Sequence, residues 1–129
     1  MSQKELARAV YRMIYKASPE ELGKLTGKEI ARRFKTSQSN ISRAFRRYYN
    51  FTLRRSLELR KFTVFNHLMY TGTTNTVKEA LEILDIRSTS HFIKRYKEIF
   101  GLTPGKRIRI IRQRHKELKQ KWAREMTFS

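Results

Sequence analysis

The side chains able to do chemistry are concentrated in two short stretches. In one, Ser39, Ser42 and Arg43 fall on the outward side of a helix-spaced segment whose Ile41 and Phe45 point inward. In the other, Thr89, Ser90 and Lys94 stand outside Phe92, Tyr96 and Ile99. Hydroxyls and cations arranged this way neither relay protons nor ligate metal, but they can bond the edges of stacked base pairs. A guanidinium such as Arg43 can grip guanine O6 and N7 together, a contact worth ~1–3 kcal/mol of discrimination. The alternative for Arg43 is a phosphate contact alone. Lys94 brings the same charge without the planar fork. Ser39 and Ser42 can bond either a base edge or a phosphate, and the residues alone leave both roles open.

Composition narrows the partner. Thirty Lys and Arg against eleven Asp and Glu give a formal charge of +19 in 129 residues, which strongly disfavours a compact chain unless a polyanion is near. Nucleic acid is the first candidate and an anionic membrane surface the second. With one sign in such excess, Arg46, Arg47, Arg54, Arg55, Arg60 and Lys61 read as phosphate contacts that fix register rather than sequence. Ser37, Ser88, Lys97, Lys106 and Arg107 are expected to join them, with His91 as a further phosphate donor. Phe45, Tyr48, Tyr49, Tyr96 and Phe100 could stack on single-stranded bases. Their helical spacing instead predicts core positions, with the Tyr hydroxyls at the rim.

Other chemistries find no residues to carry them. There is no cysteine, hence no disulfide framework and no thiolate zinc site. His67, His91 and His115 lie far apart without acidic partners at ligand spacing. No Ser-His-Asp grouping, carboxylate pair or Gly-rich phosphate loop occurs. The expectation is a protein that is not an enzyme and has no metal and no cofactor. The absence of a long apolar run and of an apolar stretch after Met1 predicts a soluble, cytoplasmic chain.

The elements that must position these residues form an echo. Moving from Ser88 back 51 positions finds Ser37, and the same spacing relates Phe92 to Ile41 and Tyr96 to Phe45. Each serine stands where a helix N-cap belongs, and Gly101 where one ends. Before each copy comes a shorter segment, Gly27 to Phe34 and Val77 to Leu84, introduced by Thr26 and Thr76 with an acid three residues on for a capping box. A first amphipathic helix is expected from Glu5 to Ala17, and only a brief helical turn after Pro19. Between the copies, Leu53 to Tyr70 reads as one helix with Leu57, Phe62, Phe65 and Met69 in a single stripe, on the order of 25 Å long at ~1.5 Å per residue. The predicted architecture is all-α: a helix-turn-helix unit at 1–51, a linker helix at 52–72, and a second unit with a basic last helix at 73–129. That last helix could pack Leu118 and Trp122 on the second unit, extend the phosphate grip, bind a protein or lie on an anionic membrane.

The phrases Ser-x-x-x-Ile-Ser-Arg-Ala-Phe-Arg-Arg from Ser37 and Ser-x-x-x-Phe-Ile-Lys-Arg-Tyr-Lys-Glu-Ile-Phe-Gly-Leu-Thr-Pro from Ser88 resemble the AraC/XylS family of bacterial transcription regulators. The likeness runs from about Leu6 to Arg107 and is greatest to stand-alone members with no sensing domain. It implies a monomer that lays two recognition helices into successive major-groove segments of double-stranded DNA and recruits RNA polymerase, in the bacterial nucleoid. It implies base contacts from Ser39, Ser42 and Arg43, and from Thr89, Ser90, Ile93 and Lys94. Where the family usually has Gly in the turn of each unit, this chain has Lys35 and Asp85, so differently shaped turns are expected. The alternative function is an accessory or architectural DNA-binding protein that marks an origin of transfer or replication and recruits other DNA-processing proteins.

Overall fold

The computed structural model describes residues 1–128, and the described residues form helices alone. In order they are α1 (Gln3–Lys16), α2 (Pro19–Lys24), α3 (Gly27–Arg33), α4 (Gln38–Tyr49), α5 (Leu53–Tyr70), α6 (Val77–Ile83), α7 (Thr89–Phe100) and α8 (Pro104–Phe128). Every helix from α1 to α7 begins on a Ser or Thr whose side-chain oxygen accepts from a backbone N–H three residues on. Those caps satisfy donors that the helix cannot satisfy itself. α2 adds Pro19 at its first position and is six residues long, the brief turn expected with the helix breakers Gly23 and Gly27 so close behind Pro19.

The two helix-turn-helix connections repeat each other closely. Lys35 and Asp85 take left-handed backbone, with φ of 54° and 52°. The next residue in each case bonds back across six residues, Thr36 N–H to Ala31 O at 3.1 Å and Ile86 N–H to Leu81 O at 2.9 Å. This is the Schellman ending, which asks for positive φ and so favours Gly. The turns keep that shape with a Lys and an Asp in place, and α7 begins one residue later after its turn than α4 does. The expected capping boxes close only in part. Glu79 Oε2 accepts from Asn75 N–H at 3.1 Å, one residue before the cap. Glu29 turns away to Arg32 and Arg33, and these ion pairs hold its carboxyl down at about 2.

One apolar core runs through both halves. Val10, Ile14, Leu22, Ile30, Ile41 and Phe45 fill the first, and Phe65, Leu84, Phe92 and Tyr96 the second. α5 belongs to both. Its buried residues include Leu53, Ser56, Phe62, Val64, Phe65, Asn66, Leu68 and Met69, which at 100° per residue point all around the axis rather than along one stripe. The reason is that α5 packs on α1, α2 and α4 on one side and on α6 and α8 on the other. Nor does α5 alone join the halves, because Gly23 of α2 meets the backbone of Leu84 so closely that a Cβ at position 23 would lie 2.8 Å from it.

Among the aromatics, Phe45 and Tyr96 are fully buried, but Tyr48 is 42% exposed and has Arg47 beside its ring. Tyr48 therefore does not serve as core. The packing of Leu118 and Trp122 on the second unit also fails. They are 48% and 61% exposed, since α8 continues past the body it starts on.

Candidate nucleic-acid interface

α4 and α7 are the same object built twice. Each is 12 residues long, capped by a serine and ended by a left-handed residue, Asn50 or Gly101. Each buries one side, Ile41, Ala44 and Phe45 in α4 and Phe92 and Tyr96 in α7. The rest is free. Ser39, Ser42, Arg43, Arg46 and Arg47 are all exposed, as are Thr89, Ser90, His91, Lys94 and Lys97, while Ile93 is half-buried at the edge of the core side.

The caps leave chemistry over. Ser37 Oγ accepts from Asn40 N–H at 3.1 Å and Ser88 Oγ from His91 N–H at 3.3 Å. Each hydroxyl keeps its own hydrogen to donate, beside helix N-terminal N–H groups that attract anions.

A groove of about 600 Å³ lies between the two helices. α4 lines it with Gln38 and Ser42, and α7 with Ser88, His91 and Arg95. At 100° per residue, the first pair sits to one side of α4's exposed face and the second set to the opposite side of α7's. The groove thus joins opposite flanks of the two outward faces. The floor is apolar, with Leu53, Leu57 and Phe62 of α5.

One ion pair ties α5 to α7 beside this groove. Arg95 spans Glu58 with both nitrogens, Nε to Oε2 at 3.1 Å and Nη2 to Oε1, and also reaches Glu98 at 2.7 Å. The guanidinium beside it holds the Glu58 carboxyl below its usual range, and Arg95 is shifted up in return. Neither residue stood out in sequence. The signal was a lone acid in a basic helix, 37 positions from its partner. Beneath α7, Tyr96 Oη donates to buried Asn66 Oδ1 at 2.6 Å, and burial pushes the phenol up to about 12.

The cations expected on phosphates divide by environment. Arg54, Arg55 and Lys106 are exposed, with Arg54 on the groove rim. Arg60 is half-buried over the Tyr15 ring and donates to the Tyr15 carbonyl at 3.2 Å. Arg107 is half-buried over the Phe100 ring, 4.3 Å from its centre. Lys61 is half-buried in the groove wall, where burial lowers its pKa and Asp85 partly offsets this. Among the described residues no group of His, Asp and Glu could hold a metal, and no helix is long and apolar enough to cross a membrane.

Two repeated helix-turn-helix units with basic outward helices define a DNA-binding class, and comparison with known proteins agrees. A family described as a helix-turn-helix domain matches residues 30–109. The chain belongs to that family, in its AraC type. Among solved structures, the C-terminal domain of AraT, a response regulator from Geobacillus stearothermophilus, is similar with a TM-score of 0.72 at 16% identity, covering 85% of this chain and 88% of that one. No curated protein matches.

Proposed function

We propose that this chain is a sequence-specific reader of double-stranded DNA that regulates transcription, with α4 and α7 entering successive major-groove segments on one face of the duplex. The observation that carries this reading is the duplicated exposed face, two equal serine-capped helices flanking one groove in a chain of charge +19. Ser39, Ser42 and Arg43 contact bases in the first segment, and Thr89, Ser90, Ile93 and Lys94 in the second. Ser37, Arg46, Arg47, Arg54, Arg55, Ser88, His91, Lys97 and Lys106 hold phosphates. Arg60, Lys61 and Arg107 reach the backbone only from packed positions and contribute less. The protein acts as a cytoplasmic monomer on DNA, its 1–51 and 73–129 units as the two heads, and RNA polymerase is the partner it recruits. Nothing in the family match or the structural likeness supports the accessory or architectural role.

The test is selection of bound duplexes from a random pool, followed by affinity measurement at moderate salt. Two conserved half-sites about one helical turn apart are expected, with protection confined to one face. Equal affinity for selected and random duplexes would sink the reading.

A further inference from the structure

The last helix outruns the body that supports it. α8 is anchored where Ile108 is 3% exposed and where Arg112 Nη2 donates to the Met69 carbonyl at 3.4 Å. From Arg112 to Thr127 every residue is exposed. A solvated helix has no use for apolar residues, yet here they are ordered. Ile108, Ile111, His115, Leu118 and Trp122 follow one another at intervals of three, four, three and four, the alternation that keeps a single seam against a partner helix in a coiled coil. In heptad terms 108, 115 and 122 are a positions, and 111 and 118 are d positions.

The flanks of that seam are uniform. Its e and g positions from 107 to 121 are Arg107, Arg112, Arg114, Lys119 and Lys121, the places whose charges choose the partner across a coiled coil. Two copies of α8 would set cation against cation whether they ran parallel or antiparallel, so the pattern works against self-pairing.

We propose that the exposed part of α8, centred on Leu118 and Trp122, docks a helix of another protein that carries an apolar a/d seam and Asp or Glu at its own e and g positions. Charge complementarity selects that occupant. Position separates it from the DNA reading: α8 leaves the body beside Met69 and Tyr70, whereas the α5 residues lining the groove between the reading helices run from Leu53 to Phe62. Trp122 provides the large anchor on which small interfaces depend, and His115 is a polar a position of the kind that sets register. The free seam is short, which suits a reversible contact. The proposal stands whichever bases α4 and α7 read.

Trp122 is the sole tryptophan, so its emission reports docking directly. The full chain is titrated with a synthetic three-heptad peptide bearing Leu at a and d and Glu at e and g, and with its twin bearing Lys at e and g. The expected result is a saturable blue shift with the Glu peptide in the micromolar range and at least tenfold weaker binding of the Lys peptide. Leu118→Ser weakens the Glu peptide at least tenfold, and the triple variant Arg114→Glu, Lys119→Glu, Lys121→Glu reverses the preference. Binding of the Glu peptide undiminished by Leu118→Ser would mean attraction to a basic surface only and overturns the proposal. So does an equal shift on vesicles of phosphatidylglycerol. A loss of about three from the salt slope of duplex binding in Arg114→Gln, Lys119→Gln, Lys121→Gln, roughly one per cation removed, would place the helix on phosphate and overturn it as well.

Discussion

Arg43 and Arg54 are both exposed arginines, but only Arg54 lines the groove between the heads, and on the proposed reading the two do different work. Arg43 leaves the centre of α4's outward face, where on the proposed reading a guanidinium would meet base edges. Arg43→Ala should therefore cost ~1–3 kcal/mol on the selected duplex and relax preference at one base pair. Arg54 sits on the groove rim at the start of α5. Arg54→Ala should weaken all duplexes alike and reduce the salt slope by about one. Competition binding across single-base variants of the site separates the two, and uniform losses for both would refute the division. Tyr96 works from below the surface. Tyr96→Phe keeps the ring but leaves the buried Asn66 carbonyl oxygen without its donor, a loss of ~1–3 kcal/mol by urea unfolding. At this scale the sequence is most legible where function needs an exposed residue, because exposure on a helix follows from spacing. It is least legible where two residues meet from distant positions, as Glu58 and Arg95 do.

At the scale of elements, caps and turns carry the agreement between sequence and structure. Ser37, Thr52, Thr76 and Ser88 mark helix starts with local chemistry alone. α5 is where periodicity misleads, since a helix packed from both sides shows no single apolar stripe. Lys35 holds a left-handed turn against a backbone cost of ~1–2 kcal/mol for an L-residue. Lys35→Gly removes that strain while adding freedom to the unfolded chain, so a net gain of up to about 1 kcal/mol is expected, read as a raised urea midpoint. Lys35→Val should lower it. The α5 to α7 tie is sensitive to acid. Because Glu58 is depressed when folded, its contribution is complete above the ordinary carboxylate range and fades as pH falls through it toward the lowered folded value. Glu58→Gln should cost about 1 kcal/mol at neutral pH, the pair being partly exposed. That deficit should hold above about pH 5 and shrink below about pH 4. A gap that persists at low pH would rule out the carboxylate as its source.

Across the whole molecule, duplication and charge were legible from the chain, whereas the direct contact between its halves was not. Gly23 could be read only as a helix breaker until Leu84 was found against it. Gly23→Ala must push α2 and the end of α6 apart, an overpacking that costs ~1–3 kcal/mol and shifts one head against the other. Such a variant should lose more affinity for two-half-site duplexes than for an isolated half-site, measured by fluorescence anisotropy. Equal losses on both would show that the contact matters to stability alone. Backbone pressed on backbone also leaves the protein no slack with which to follow a stretched target. On the proposed reading, inserting a single base pair between the half-sites would turn one of them by about 35° around the duplex axis, and a gauge of fixed length would then grip only one end.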